Sequence, residues 1–414
     1  MYLRGNKWNM TRRTRRPSSP WRLAGLVILI GAAIYFNQFV IPNTPMMLGP
    51  TPTPTTSPEA FINEAESLFS QGKLLPAIRA YDQAIQADPQ NRANYVAMAR
   101  AQIFAQQYEE ALESAERALL GNESYAHAHA VRGWALTFLK DYFPAEVSIK
   151  RALELDPNNA LAHAFYAELL IVRGEYGDRE KAIEESRLAV SLAPSQLEPL
   201  RGRAIVLTQT GNYQEAIESY KAAININKNI ADLYMGLGYN YRALDDYGQA
   251  IEYFSQANAL NPSDAIPDLE ISRIYAAVGD FGKSVQYAEN AVNDDPENPH
   301  RYGNLGIRLY QSGQMEEASQ ILAYAIRGGT SEEGVVVRGL PLNYGFEAQY
   351  YWFYGFALAK SIPPKCDEAV PIFQALLTGV PDDADAVYNA NFGLDLCREA
   401  MNASILPSEA TPSP

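Results

Sequence analysis

Histidine and cysteine, the side chains that most often bind transition metals, are scarce in this chain: four histidines and two cysteines occur among 414 residues. Only His127 and His129 lie close together in the sequence, and on a helix their side chains would point about 200° apart. The acidic clusters lack the spacing of a calcium loop, and the motifs of serine hydrolases and zinc proteases do not occur. We therefore expect no catalytic residues, no metal site and no cofactor, and we do not expect an enzyme.

Acidic residues are missing from the first 42 positions, which carry seven basic residues. All 48 acidic residues and the other 27 of the 34 basic residues follow Pro42, so the remainder of the chain is strongly acidic. An acidic surface repels the phosphate backbone of nucleic acids. We therefore expect no nucleic-acid partner.

Charged residues are also missing from Leu23–Ile41. As a helix these residues would reach roughly 28 Å, against a hydrocarbon core of about 30 Å. Basic residues precede this segment and none follows it closely, so the positive-inside rule places the N-terminus in the cytoplasm. The sequence thus predicts a basic cytoplasmic N-terminus at 1–22, a transmembrane signal-anchor helix at 23–42 that contacts the membrane through residues 23–41, and extracytoplasmic repeats in the cell envelope. A cleaved signal peptide is the alternative, because Leu23–Phe36 alone could form its apolar region.

Proline is concentrated near both ends of the chain and recurs at regular intervals between them. Residues 43–57 are predicted to be an extended Pro/Thr-rich linker, and residues 403–414 a disordered tail. In between, prolines end apolar helical segments at multiples of 34 residues, apart from one insertion of three: Pro89, Pro157, Pro194, Pro262 and Pro296. Small residues also recur at fixed offsets. Because antiparallel helices approach closely where side chains are small, this periodicity predicts a series of helix pairs.

One unit shows the repeated pattern most completely, through Tyr234, Leu237, Gly238, Tyr241, Ala250, Phe254, Ala257 and Pro262. This pattern resembles the tetratricopeptide repeat. The resemblance implies an all-α fold: a right-handed α-solenoid of about nine helix-turn-helix repeats with a C-terminal cap helix, preceded by the transmembrane helix. We expect eight units in residues 58–332, an irregular insertion at 333–347, and a ninth unit with the cap helix at 348–402.

The resemblance also implies which side chains face the concave groove, namely those at positions 2, 5, 9, 12 and 13 of each repeat. The predicted partner-binding residues are Arg100, Phe104, His127, Trp134, Phe138, Arg201, Tyr239, Arg242, Arg273, Tyr310 and Trp352. Arginine and large aromatic residues are enriched at binding hot spots and suit an acidic or aromatic peptide. The alternative is that the aromatic rings pack between helices and the arginines are solvated. The Lys/Asn pattern of a chaperone-type carboxylate clamp is not found in three consecutive units.

The two cysteines, Cys366 and Cys397, fall in the ninth unit and the cap helix. Because the cap should run antiparallel to the second helix of that unit, the two residues should meet. A disulfide there would close a loop of 31 residues and stabilise the fold by about 3 kcal/mol. The alternative is a pair of unpaired small residues in the core.

These observations favour a membrane-anchored extracytoplasmic scaffold that binds a peptide or partner protein in its concave groove and organises an envelope complex. The expected ligand is a protein or peptide, with no small-molecule substrate. Two alternatives stay open. One is a cytosol-facing anchored receptor of the import type, and the other is an accessory subunit of a machine for glycan synthesis or export.

Overall fold

The computed structural model describes residues 20–35, 38, 57–330 and 334–405. Helix α1 (Pro20–Tyr35) belongs to a unit of its own, and the residues from 57 onward form the second unit. Most of the predicted basic N-terminus and of the Pro/Thr-rich linker lies outside the described residues, as does the chain after residue 405.

The predicted transmembrane helix is wrong. Helix α1 has 16 residues, which corresponds to roughly 24 Å, less than the roughly 30 Å of a hydrocarbon core. Among the described residues, no helix is both long and apolar enough to cross a membrane. The prediction treated the uncharged run 23–41 as one continuous helix, whereas the described helix ends at Tyr35. The predicted localisation, a single-pass membrane protein with extracytoplasmic repeats, depended on that span and is corrected with it.

The second unit begins with sixteen helices that pack as eight consecutive antiparallel pairs. The pairs are α2 (Pro58–Ser70) and α3 (Leu74–Ala87), α4 (Arg92–Phe104) and α5 (Tyr108–Leu119), α6 (Ala126–Phe138) and α7 (Tyr142–Leu155), α8 (Ala160–Arg173) and α9 (Asp178–Leu192), α10 (Leu197–Gln209) and α11 (Tyr213–Ile226), α12 (Ala231–Ala243) and α13 (Tyr247–Leu260), α14 (Ala265–Ala277) and α15 (Phe281–Asp294), and α16 (Pro299–Gln311) and α17 (Met315–Arg327). The predicted all-α fold of paired repeat helices is confirmed.

Small residues allow the two helices of each pair to approach closely. In the α12–α13 pair, a Cβ atom on Gly238 would overlap the ring of Phe254. Phe254, Ala250 and Ala257 are fully buried on the facing side of α13. The turn between the helices needs a left-handed residue in several pairs, as at Gly211, whose φ is +81°. The pattern that recurs in the sequence therefore corresponds to the positions where helices cross.

The chain continues into a short β-hairpin and three further helices. Strands β1 (Gly328–Thr330) and β2 (Val336–Arg338) pair antiparallel. The helices that follow are α18 (Phe346–Ala359), α19 (Cys366–Gly379) and α20 (Ala384–Ile405). A disulfide joins Cys366 to Cys397 with their Cα atoms 5.3 Å apart. It links the first residue of α19 to α20, so the last helix is covalently fastened to the helix before it.

The first helix pair also contacts helices far along the chain. Asn227 donates a hydrogen bond from Nδ2 to the carbonyl of Phe69, at 3.3 Å, and Asn229 donates one to the carbonyl of Ser70, at 2.8 Å. We call this contact between residues 69–72 and residues 227–229 the closure contact. It joins the first repeat to the loop between the fifth and sixth, and so it encloses the space between them.

Candidate partner-binding cavity

The closure contact bounds a cavity of about 920 Å³, which we call the central cavity. Its walls come from helices and turns between Gly72 and Arg301. Five residues predicted to bind a partner line it: Phe104, Trp134, Phe138, Arg201 and Tyr239. The other predicted residues do not line it: Arg100, His127, Arg242, Arg273, Tyr310 and Trp352. The proposed role of each of these residues stays a prediction.

Aromatic rings form one side of the central cavity. The rings of Tyr108 and Phe138 stack with centroids 4.6 Å apart and an angle of 5° between their planes. Phe104 contacts Trp134 edge to face at 5.5 Å. Trp134 is fully buried and stacks on Phe165 with centroids 4.2 Å apart. Trp134 therefore supports the aromatic wall from within, whereas Tyr108 and Phe138 are only partly buried.

Arg201 is buried next to these rings and is held by two carboxylates. Its guanidinium donates to Glu168 at 2.8 Å and to Asp232 at 2.5 Å, and it lies 5.6 Å from the ring centroid of Trp134. Burial by itself lowers the pKa of Arg201, but Asp232 and Glu168 outweigh that effect and raise the pKa above its usual value. Glu168 also accepts a hydrogen bond from the indole nitrogen of Trp134, at 2.9 Å. The arginine, the glutamate and the tryptophan thus form one buried network.

The other predicted arginines are paired in the same way. Arg100 donates to Glu198 at 2.8 Å from its Nε atom. Arg242 and Arg273 share one acceptor, Glu270, and the Arg273 contact measures 2.8 Å. Glu198 and Glu270 are both buried. The positive charge expected to attract an acidic peptide is therefore already balanced inside the protein.

Carboxylates outnumber cations in the wall of the central cavity. The charged lining residues are Asp232, Asp264, Asp294, Asp295, Arg201 and Arg301, a net formal charge of −2. Asp295 accepts a hydrogen bond from Arg301 at 3.2 Å. Neither Asp264 nor Asp294 forms an ion pair with a lysine or arginine of the described segments. This side of the cavity is thus electronegative.

The carboxyl of Asp268 lies next to that of Asp294; it is buried and does not line the cavity. Burial first, and then the charge of Asp294, raise the pKa of the Asp268 carboxyl to about 6. The pKa of Asp294 is also raised, first by its own burial. One oxygen of Asp294, Oδ2, is buried without a hydrogen-bond donor in the described part of the chain. The two carboxyls therefore form a hydrogen-bonded pair, and neither has an ion pair with a lysine or arginine among the residues that the structure describes.

The remaining predicted residues lie in separate surroundings. His127 is exposed, whereas His163 is buried and its Nδ1 lies 2.5 Å from Glu185. Tyr310 and Trp352 belong to an aromatic cluster near the C-terminus, where the hydroxyl of Tyr310 accepts a hydrogen bond from Lys360 at 2.6 Å. Within the described ranges, no group of three His, Cys, Asp or Glu side chains is placed to hold a metal ion.

Sequence reasoning missed the acidic residues of the cavity and its support. Glu168 and Glu198 occupy positions 9 and 2 of their repeats, and Asp232 occupies position 2, so the rule that selected the arginines also selects them. Comparing both signs of charge at these positions would have revealed the pairing with Arg201. Asp264 and Asp294 gave no such signal, because they lie in a loop and at a helix end.

Comparison with known proteins identifies the repeats. Models described as tetratricopeptide repeat match residues 68–135, 126–159 and 231–264, and a model described as TPR repeat matches residues 204–245.

Two curated relatives match part of the chain. One is the DnaJ homolog subfamily C member 7 homolog of Schizosaccharomyces pombe, 31% identical over 102 residues that are 24% of this chain and 21% of the relative. The other is the RNA polymerase II-associated protein 3 of Xenopus tropicalis, 33% identical over 96 residues that are 23% of this chain and 15% of the relative. The chain therefore spans about a fifth or less of the length of each.

Two solved structures are also similar. A tetratricopeptide repeat protein from Parabacteroides merdae aligns with 61% of this chain and 98% of its own length, at 18% identity and a TM-score of 0.40. Pseudomonas aeruginosa pilF aligns with 49% of this chain and 90% of its own, at 20% identity and a TM-score of 0.42. From the repeat-model matches and the paired helices we conclude that this chain carries repeats of the tetratricopeptide family.

Proposed function

We propose that the protein is a non-enzymatic scaffold that holds a segment of a partner protein in the central cavity. Tetratricopeptide repeats generally act as interaction scaffolds, and the relatives are named as a DnaJ homologue and a polymerase-associated protein. The whole-protein activities of those relatives are not transferred, because the matched regions are small fractions of them.

The observation that carries the proposal is that stacked aromatic rings and residues of the closure contact line the same cavity. A volume of about 920 Å³ lies within the range of ligand sites, roughly 300–1,000 Å³. It is too small for a folded domain, so the segment that enters it is a loop or an extended peptide. Partly buried aromatic residues at the centre of such a site are typical hot spots. Tyr108 and Phe138 are partly buried aromatic residues of the cavity wall.

The predicted envelope complex and the anchored import receptor both depended on a transmembrane span, and we propose neither. The accessory role in glycan synthesis or export has no structural feature that favours it over other partners. The predicted partner-binding residues that line the cavity are proposed to have two different roles. Phe104, Phe138 and Tyr239 are proposed to contact the partner, and Trp134 and Arg201 to hold the wall behind them.

Photocrosslinking tests this proposal. A photoreactive phenylalanine analogue replaces Tyr108 in the full chain, in the cells that produce it. The matched control carries the analogue at Phe143, which is 78% exposed and does not line the cavity. We expect adducts from position 108 that map by mass spectrometry to one short segment of a partner. Adducts from position 143 alone would contradict the proposal.

A further inference from the structure

We propose that the segment bound in the central cavity is basic, with a lysine or arginine side chain placed between the Tyr108–Phe138 stack and the carboxylates of Asp264 and Asp294. This inference rests on the proposed function and names the chemistry of its ligand. It reverses the sequence-based expectation of an acidic peptide.

The arginines of the cavity wall are already paired with carboxylates of the protein. An acidic ligand needs cations that are free to pair with it, because removing a charge from water without a partner is costly. Arg201 already contacts Glu168 and Asp232, and Arg301 contacts Asp295. These are the two cations of the cavity wall. An acidic side chain entering the cavity would therefore meet carboxylates before it met an unpaired guanidinium.

Two carboxylates of the cavity wall, Asp264 and Asp294, have no ion pair with a lysine or arginine of the described residues. Asp264 caps helix α14 by accepting from the backbone nitrogen of Ile266 at 3.0 Å, and its other oxygen lies 3.4 Å from the amide of Gln106. Asp294 also lines the cavity without an ion pair to a lysine or arginine of the described residues, and its carboxyl shares a hydrogen bond with the buried Asp268 carboxyl behind it. An ammonium or guanidinium group in the cavity would supply charge-assisted hydrogen bonds to the carboxylates of Asp264 and Asp294 that line it.

The stacked rings of Tyr108 and Phe138 line the same cavity as these carboxylates. Cations bind favourably over aromatic rings, within about 6 Å of the ring centroid. The wall already contains such a contact, because the guanidinium of Arg201 lies 5.9 Å from the centroid of Phe138. The pKa of Tyr108 is raised to about 12, mainly by burial; the charges of Asp232 and Asp264 act in the same direction, and that of Arg201 acts against them. The Tyr108 side chain therefore lies within electrostatic reach of Asp264, and a cation placed between them would contact both the ring and the carboxylate.

The experiment uses the full chain and three fluorescent peptides of 12 residues. The peptides are identical in Gly, Ser and Tyr content and differ at two positions, which hold arginine, its neutral isostere citrulline, or glutamate. Binding is measured by fluorescence anisotropy at physiological salt. We expect the arginine peptide to bind at least about tenfold more tightly than the other two, since a charge-assisted hydrogen bond contributes that much or more.

Substitution of the cavity carboxylate provides the specific control. Asp264→Asn removes the charge but keeps a good helix cap, because asparagine caps helices as well as aspartate does. We expect it to weaken the arginine peptide about tenfold and to leave the citrulline peptide unchanged. Asp246→Asn is the matched control: Asp246 caps helix α13 through Gln249 in the same way, is exposed and does not line the cavity. It should change neither affinity.

The outcomes separate this inference from the proposed function. Equal or tighter binding of the citrulline or glutamate peptide would overturn the basic ligand, as would no binding of the arginine peptide at millimolar concentration. An equal effect of the Asp264→Asn and Asp246→Asn substitutions would also overturn it. The proposed function would still stand after any of these results if the analogue at position 108 yields partner adducts, and it would fail if only position 143 does.

Discussion

The side-chain amide of Asn229 donates a hydrogen bond to the backbone carbonyl of Ser70, which lies 159 positions earlier in the chain, at 2.8 Å. Asn227 forms a parallel contact with Phe69. Neighbouring repeats contact each other in any solenoid, but this contact joins the first repeat to the loop between the fifth and sixth, and it bounds one side of the central cavity.

The closure contact predicts that Gly72→Ala opens the solenoid. Gly72 has a φ of +73°, and a Cβ atom on it would lie 2.5 Å from the carbonyl oxygen of Asn229 and 2.6 Å from its Cβ. We expect a larger radius of gyration by small-angle X-ray scattering and faster amide exchange at residues 69–72.

Gly279→Ala is the matched control for this substitution. Gly279 has a φ of +80° in the equivalent turn of the seventh repeat, and a Cβ atom there would meet nothing within 4 Å. Both variants bear the left-handed strain of about 1–2 kcal/mol, but only Gly72→Ala collides with another repeat. An unchanged radius in Gly72→Ala, or equal expansion in both variants, would show that the closure contact does not keep residues 69–72 and 227–229 together.

The buried network around Arg201 predicts a large loss of stability for Glu168→Gln. The substitution removes one of the two carboxylates that balance a guanidinium with only 6% of its side chain exposed. Breaking a buried ion pair destabilises by about 3–5 kcal/mol. Asp232 remains, so we expect a decrease of about 2–3 kcal/mol in the free energy of unfolding by urea. Glu113→Gln removes an exposed pair with Arg117 and should change it by less than about 0.5 kcal/mol. Equal losses would contradict the structural role of Glu168.

The disulfide predicts that the last helix loosens when it is reduced. Cys366 and Cys397 are 31 positions apart, a loop whose closure contributes about 3 kcal/mol in the chain-entropy model. The variant with both cysteines replaced by serine should show faster amide exchange in α19 and α20 while α4 to α12 stay unchanged. Treatment of the native protein with a reductant should reproduce that pattern. Uniform destabilisation of all repeats would argue against a local clamp.

Much of the fold could be predicted because its determinants are local. The crossing of Gly238 over Phe254 and the turn at Gly211 each occur within one repeat, so the 34-residue spacing is sufficient to predict paired helices. The predicted membrane span was wrong because it was inferred only from the lack of charged residues in 23–41. The described helix ends at Tyr35, before the end of that uncharged segment.

The central cavity could not be predicted, because it arises from rotations that accumulate over several repeats. No property of Ser70 or Asn229 alone shows that they meet. The charge pairs could be predicted only in part. Arg201 and Glu168 are 33 positions apart and could be found by comparing adjacent repeats, whereas Arg100 and Glu198 are 98 apart and meet only through the superhelical path. An acidic ligand is expected only if the arginines are unpaired. Sequence reasoning identified the arginines but neither their partners in adjacent repeats nor those in distant repeats.

The Asp268–Asp294 pair predicts that the protein is more stable at pH 5 than at pH 7. Burial, with the charge of Asp294, raises the pKa of Asp268 from 3.8 to about 6 in the folded protein. Between these two values the folded state holds a proton that the unfolded state has lost, so stability falls as the pH rises from about 4 to about 6. For a single carboxyl the difference between pH 5 and pH 7 is about 1 kcal/mol.

The Asp268→Asn substitution isolates this effect. The pKa of Glu146 is lowered to about 2, so the stability it provides is lost only as the pH falls below about 4.5, outside this window. The pKa of His163 is raised, and its contribution is lost as the pH rises, but it is the same in both proteins. Urea unfolding at pH 5, 6 and 7 should therefore show a smaller slope in Asp268→Asn than in the native chain, while Asp246→Asn keeps the native slope. If Asp268→Asn retains the native slope, the buried carboxyl pair does not set the pH dependence.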